Sequence, residues 1–456
     1  MRGIGNGRIL LWISVVSILS VCSPAAAQTV VDCTGVNTSA YKTITAALAA
    51  TATVGANIQV IAGPCNEGVN ITGRYNLNLG AQAGKTVVIN GMINIQSSAN
   101  VYVYGFNVTN LSGNGIAVND SHSVTLDTIT SSGSTGHGLS VYKEGDVTIL
   151  APASFDNNGM YGISGTEHSN VDIETSTGAL DLSNNGAGGL LMSLQSSFLL
   201  TGNSTIENDG SGPTGRKTGI SLREGSSGEL SDCTGGNLIQ GQVHKGIEVW
   251  NTSQLVIEGC GTGHSTVIQN NGTAGAQVVL SSTLQIYGET QITGNPAGGI
   301  LVDAGASLFV AGGTLISNNG TLLDIQSGGV VASNSSGVEV DGANVSSNRG
   351  WGFVAYLGGY LNLSGNTATG NEFGIIGCDS SSYVYHDFPP HSGNIQCATP
   401  SIPIVMPAQP LNGIGPVRPP APKMLETEPH DPAAMAEKVR QARAAFWKAM
   451  RGARPQ

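Results

Sequence analysis

Seven side chains that could hold a polar ligand stand at matching points of a repeated phrase: Asp120, Lys143, Glu167, Arg223, Glu224, Glu248 and Trp250. Charges at regular intervals can orient a charged chain, and an indole can stack on a sugar ring. Lys143, Glu167, Arg223, Glu248 and Trp250 form the candidate binding set. His137, in Gly136-His137-Gly138-Leu139-Ser140, is a residue type suited to general acid or base work. Its position, however, is the ordinary residue before a repeated glycine, shared with Tyr161, Lys245, Trp351 and Phe373. The repeat accounts for it without catalysis. No Gly-x-Ser-x-Gly elbow, phosphate-binding glycine loop or metal-spaced histidine cluster is present.

The elements that must position these groups follow from the phrase itself. A glycine followed by an alternating apolar triplet begins at Gly115, Gly138, Gly162, Gly189, Gly219, Gly246, Gly275, Gly299, Gly352 and Gly374. A degenerate copy is read near Leu322 to Ile325. A second short alternating run follows in most copies, such as Val124-Thr125-Leu126 and Leu284-Gln285-Ile286. A third precedes the next copy, as in Thr290-Gln291-Ile292. Period-two runs bounded by Gly, Ser and Asn are short strands. Three strands per coil, repeated at fixed intervals, predict an all-β solenoid, a right-handed parallel β-helix. Asn-Asn-Gly at 157–159, 184–186, 270–272 and 318–320 marks equivalent corners, because Asn and Gly tolerate left-handed backbone. Stacked asparagines could bond to one another along the rod. The sequons at Asn70, Asn271 and Asn319 are read as by-products of this turn chemistry.

Within the phrase, residues of the Ile116 and Val118 type point inward and the middle residue outward. The outward column reads Ala117, Ser140, Ser164, Leu191, Ser221, Glu248, Gln277, Leu301, Val354 and Ile376. It is mostly small and polar early and apolar later. The candidate groove is this face.

The start of the chain resembles a known superfamily. Tyr41 to Ala50 looks like the amphipathic helix that caps right-handed β-helices of the pectate-lyase-like group. Ile58 to Ile71 is similar to their first coil, with Cys65 where a tyrosine is usual and Glu67 retained. The resemblance spans roughly 30–398 and implies a fold whose enzymes mostly act on polysaccharides. It is specific for fold and weak for activity. The Gly136-His137-Gly138 step is close to a polygalacturonase motif, but the aspartate motifs are missing from Gly113 to Asp120, and glycoside hydrolysis needs paired carboxylates. The Trp-Ile-Asp-His and Arg-x-Pro patterns of pectate lyases and the paired-aspartate site of pectin methylesterases are also missing. Glu428-Pro429-His430-Asp431-Pro432 echoes a signature of alginate-processing β-helix enzymes, but outside the solenoid.

Composition agrees with a turn-rich solenoid: 65 of 456 residues are glycine, and only 11% are charged. Residues 1–27 read as an export signal: Arg2 and Arg8, an apolar run from Ile9 to Val21, then Ala25-Ala26-Ala27. Secretion to an extracellular or periplasmic space is expected, with no membrane span in the mature chain. The β-helix is placed at 28–398, a proline-rich linker at 399–430 and a basic amphipathic helical tail at 431–456. The body holds nine basic and 26 acidic residues, near −17, which argues against nucleic acid. No cofactor is read, although the acidic balance permits calcium. The expected partner is a polysaccharide or cell-surface glycan, with the specific reaction open; the alternative is a non-catalytic, adhesin-like rod. Six cysteines remain after the signal, and neighbour pairing is expected: Cys33 with Cys65, Cys233 with Cys260, Cys378 with Cys397.

Overall fold

The computed structural model describes residues 28–213, 215–232, 235–259, 265–320, 327–388 and 395–397. The leader 1–27, the linker 399–430, the tail 431–456, the Cys233–Cys260 pair and the copy at Leu322–Ile325 lie outside the described residues.

The described chain coils through three parallel sheets of 15, 11 and 14 strands. A typical coil runs Ile116–Asn119, His122–Asp127 and Thr130–Ser131, and returns at Leu139–Tyr142 one layer on. The first and last of these strands pair in parallel, Ile116 with Leu139 and Val118 with Val141. This is a right-handed parallel β-helix. At about 4.8 Å per layer, the longest sheet makes a rod of roughly 65 Å.

The register fixes what faces in. Ile116, Val118, Leu139, Val141, Ile220, Leu222, Ile247 and Val249 are fully buried in one continuous core. A single coil has no partner for this surface; the neighbouring coils above and below supply it. Two details correct the repeat as read from sequence. The strand that pairs with Gly298–Asp303 in the next coil is Gly328–Ser333, with Leu301 opposite Val331, so Val331 belongs to the outward column. At the far end Val354 pairs with Gly377, not Ile376; Ile376 is core. Gly374 pairs with Trp351, one place before the repeat glycine, and Ile375 stands opposite Gly352, so aligning the copy on Gly374 misreads the alternation by one residue.

The Asn-Asn-Gly corners divide their labour. The first Asn takes a left-handed backbone, with φ of 55° at Asn157 and 56° at Asn318. The second points inward and bonds along the rod. Asn271 donates its amide to Asn295 Oδ1 at 3.0 Å, Asn295 to Asn319 at 2.9 Å, Asn319 to Asn348 at 3.2 Å and Asn348 to Asn371 at 2.9 Å. Buried amides need such partners. Asn271 and Asn319 are therefore ladder residues rather than glycan acceptors. A parallel serine ladder lines another corner: the backbone N–H groups of Ser98, Ser169, Ser196 and Ser253 donate to the hydroxyls of Ser121, Ser196, Ser226 and Ser282.

A helix, Ile44–Ala50, covers the N-terminal end, with Thr43 as N-cap. Glu67 accepts from the backbone N–H groups of Ile44 and Thr45, at 2.6 and 3.0 Å. Arg74 donates to the carbonyls of Leu48, Thr51 and Ala52. Acid at the N-terminus and base at the C-terminus satisfy orphan backbone groups and complement the helix dipole. Cys33–Cys65 is a disulfide. Cys378 is also disulfide-bonded, and its backbone partner in the ladder is Cys397, whose side chain lies outside the described residues.

Candidate functional site

The outward face of the 14-stranded sheet separates the five candidate residues into two groups. Arg223 and Trp250 are side by side in adjacent strands, Thr218–Arg223 and Ile247–Trp250, and Glu248 is beside Ser221. Alternation along each strand places both pairs on the outward side. Lys143 and Glu167 sit several coils earlier, in the corner turns that follow their strands.

The first group is built around Glu248, which is 2% exposed although it faces outward. Three cations close over it. Lys245 Nζ is 2.8 Å from Oε1, Arg223 Nη2 is 3.2 Å from Oε2, and Arg216 Nη1 is 3.9 Å from Oε1. Ser221 donates its hydroxyl to Oε2 at 3.3 Å, and Arg223 Nε donates to Ser221 Oγ at 3.2 Å. Desolvating a carboxylate is tolerated only with this degree of pairing. Both guanidinium groups also lie over the half-buried Trp250 ring, Arg216 at 5.2 Å and Arg223 at 5.6 Å from its centroid. Three cations against one carboxylate leave a positive patch on an acidic body.

Arg216 was not in the set drawn from the sequence. It comes from a longer connection between Ser204–Glu207 and Thr218–Arg223. The signal was available: the interval from Gly189 to Gly219 is the longest between clear neighbouring copies. The connection is tied down where the Arg216 backbone N–H donates to Tyr161 Oη at 3.3 Å. Burial pushes the Tyr161 hydroxyl above its ordinary range, with the Glu248 charge adding to the shift. Lys245 and Tyr161 occupy the pre-glycine column, read in sequence as repeat grammar only.

His137 behaves as that grammar implies. Its Nδ1 accepts from the Tyr161 backbone N–H at 3.2 Å, and its ring stacks on Tyr161 with centroids 5.9 Å apart. Burial lowers its pKa to about 4. It is a neutral structural acceptor at pH 7.

The second group lines a shallow cleft of about 440 Å³ with Gln96, Asn119, Asp120, Glu144 and His168. Asp120, Lys143, Glu144, Glu167 and His168 all have φ between 48° and 64°. The left-handed corner is a general device of this fold: Leu194, Asn251, Leu280 and Leu357 adopt it in later coils. Asp120 accepts from Ser97 Oγ at 3.1 Å, and His168 Nε2 contacts Gln195 Oε1 at 2.6 Å. The cleft therefore presents three carboxylates and one lysine, the reverse of the Trp250 cluster.

A metal-like grouping, Cys33, Cys65 and Glu67, involves the two disulfide cysteines and the carboxylate that caps the helix, so it is not a free ligand set. No helix among the described residues is long and apolar enough to cross a membrane.

A family model described as a right-handed beta helix region matches residues 114–319 and 219–388. The chain belongs to this right-handed beta-helix family. Its matched segments contain both groups of candidate residues. Two solved structures are similar to this β-helix chain, the A-modules of the Azotobacter vinelandii mannuronan C-5 epimerases AlgE6 and AlgE4. Each is 13% identical and covers 75% of this chain and 91% of its own, with TM-scores of 0.43 and 0.39. No curated protein matches the chain.

Proposed function

We propose that this β-helix protein is exported and binds an acidic polysaccharide along the outward face of its 14-stranded sheet. The single observation that carries the reading is the Glu248 cluster. Glu248 gathers Lys245, Arg216 and Arg223 into one patch, and two of those cations lie over Trp250. Guanidinium groups form bidentate bonds to carboxylates and sulfates, and an indole edge or face packs on a sugar ring. Glu248 is buried beneath its partners, so its role is to position the arginines rather than to touch the chain.

The alternative is a non-catalytic extracellular rod. It is favoured by the later coils, where Val331 and Val354 on the same face are buried under Trp351, with Leu301, Tyr356 and Phe373 packed against them. That part of the face closes on itself.

Titration calorimetry against uronic-acid, sulfated and neutral polysaccharides, with and without calcium, separates the two. Acidic chains are expected to bind, with affinity falling as salt rises. Trp250→Ala and Arg223→Ala should each weaken binding by roughly tenfold, and Glu248→Gln should weaken it by loosening the arginines. Binding of no polysaccharide leaves the rod. Binding that is unchanged in all three variants removes the cluster from the account.

A further inference from the structure

The C-terminal end of the 15-stranded sheet presents aromatic rings to the outside. Its last strands are Thr283–Tyr287, Ser307–Ala311, Gly337–Asp341, Tyr360–Ser364 and Tyr383–His386. Leu308, Val310, Val338, Val340, Leu361 and Leu363 point into the core, so the alternate positions point out. Those positions hold Tyr287 against Phe309, with ring centroids 5.5 Å apart, and Tyr360 against Tyr385 at 5.7 Å. Tyr383 is 67% exposed, and Tyr360 and Tyr385 are exposed as well. Register sets Glu339 among them: it stands opposite Phe309 on one side and Asn362 on the other, and Asn362 stands opposite Tyr385. Asp341 is on the same outward side. Neither carboxylate belongs to an ion pair among the described residues. None of the five strands contains lysine or arginine.

A contiguous exposed aromatic patch marks a contact surface. Tyr383–His386 is also the edge of its sheet, and an exposed edge invites pairing. At the opposite end of the rod, helix Ile44–Ala50 covers the core with Ile44, Ala47 and Leu48. No helix covers this end among the described residues.

The chain holds a segment of complementary chemistry. Over 433–451, Met435, Val439, Ala442, Phe446 and Met450 recur at helical spacing, and Lys438 and Arg443 flank that stripe. Residues 281–398 have eight acidic residues against one arginine and no lysine, whereas 431–456 have six basic residues against two acidic. The dimensions agree. A helix over 433–451 is about 28 Å long, and five strand layers span roughly 20 Å. The linker 399–430 begins just after Ile395–Cys397, the last strand of the 14-stranded sheet. Extended proline-rich chain of that length reaches about 100 Å. Such a tether gives an effective concentration on the order of millimolar, so even a weak contact is populated.

We propose that the segment 433–451 packs as a helix on this outward face of its own chain. Its apolar stripe lies against the tyrosines, and Lys438 and Arg443 sit beside Glu339 and Asp341. The contact covers the aromatic patch and the edge strand. It is independent of what Trp250 and its arginines bind, since those are on the other sheet.

Carbodiimide coupling on the full chain tests it, using a mixture of isotopically light and heavy protein followed by peptide mapping. A coupled pair joining Lys438 to Glu339 or Asp341 within one isotopic chain is expected. Deuterium exchange supplies a second readout. Amides in 433–451 should exchange roughly tenfold faster in Phe446→Asp, and also when Glu339→Lys and Asp341→Lys are combined, the ratio expected for a contact of about 0.1 mM at millimolar effective concentration. Adding Lys438→Glu and Arg443→Glu to the double lysine variant should restore slow exchange. Glu339 and Asp341 are exposed, so the solenoid folds in every variant. Coupling found only between differently labelled chains would assign the face to a second copy. Slow exchange seen only with phosphatidylglycerol vesicles present would assign the tail to a membrane surface. Exchange unchanged in both Phe446→Asp and the double lysine variant would remove the contact. Each of these three results overturns the proposal.

Discussion

Asp209 Oδ1 accepts a hydrogen bond of 2.7 Å from the backbone N–H of Asn185. Asp209 is thus a rung of the internal amide ladder, at a level where most other coils have asparagine. It is fully buried, and its Oδ2 has no partner. Burial holds its pKa well above the ordinary carboxylate range. The next rung, Gln242, returns the ladder to amides: its Oε1 accepts from the Asp209 N–H at 3.2 Å.

Asp209→Asn is expected to stabilise the protein at pH 7 by roughly 1–3 kcal/mol, the usual cost of an unsatisfied buried polar group. The sign follows from proton linkage. In the unfolded chain Asp209 ionises above about pH 4, while the folded chain keeps the proton, so the wild type loses stability as pH rises toward the raised folded value. The advantage of the variant should shrink toward pH 3, where both states are protonated. Urea titrations between pH 3 and 8 measure this; a pH-independent difference would contradict a neutral Asp209.

His137 has the opposite sense. Its folded pKa of about 4 lies below the ordinary value near 6.5. The unfolded state therefore takes up a proton first, and the stability associated with neutral His137 is complete above pH 6.5 and lost as pH falls toward 4. NMR titration should find the His137 ring half-protonated near pH 4. His137→Gln should flatten the stability profile between pH 4 and 6.5, and a midpoint above 6 would refute the buried neutral ring.

Glu67 and Arg74 hold the capping helix at its two ends. Glu67→Ala removes three bonds to Ile44 and Thr45. A loss of about 1–2 kcal/mol is expected, in the range of strong helix caps. Hydrogen exchange should rise first in Ile44–Ala50 and the adjacent strand Asn57–Ala62, with the central coils unchanged at short times.

Leu357 has φ of 54° and is 56% exposed. A left-handed backbone costs a Leu roughly 1–2 kcal/mol, and Asn tolerates it better. Leu357→Asn should raise stability by about 0.5–1 kcal/mol, while its backbone N–H keeps the Asp379 Oδ2 bond at 2.8 Å. A lower melting temperature would mean that the exposed side chain contributes packing.

Much of this architecture was written in the order of residues. Alternation in Ile116-Ala117-Val118 and its copies determines strands, and the Asn-Asn-Gly corners determine where the chain turns, because both are local backbone preferences. The capping helix was legible through the resemblance at Tyr41 to Ala50, and the Cys33–Cys65 pair because a solenoid brings together only residues of neighbouring coils. The degenerate coil was not: Gly328–Ser333 begins several residues beyond the copy expected near Leu322. Ile375 hid the register of the last copy: it takes the place of the repeat glycine opposite Gly352, so alignment on Gly374 slips by one residue and inverts every side chain.

The candidate site was only half visible. The repeat placed Arg223, Glu248 and Trp250 on one face, and adjacency of coils brings them into contact. Counting copies from Gly138 and Gly162 to Gly219 and Gly246 already sets Lys143 and Glu167 several layers away, and the folded stack shows them in corner turns instead of on the sheet face. Arg216 arrives through the long connection between Ser204–Glu207 and Thr218–Arg223, outside the repeated phrase, so periodicity could not place it. Burial decided the rest. Glu248 faces outward by alternation yet is covered by three cations, and Asp209 reads as one more acidic residue until the ladder encloses it. Local pattern determines which way a side chain points; only the packed neighbours determine whether water reaches it, and with that its charge and its role.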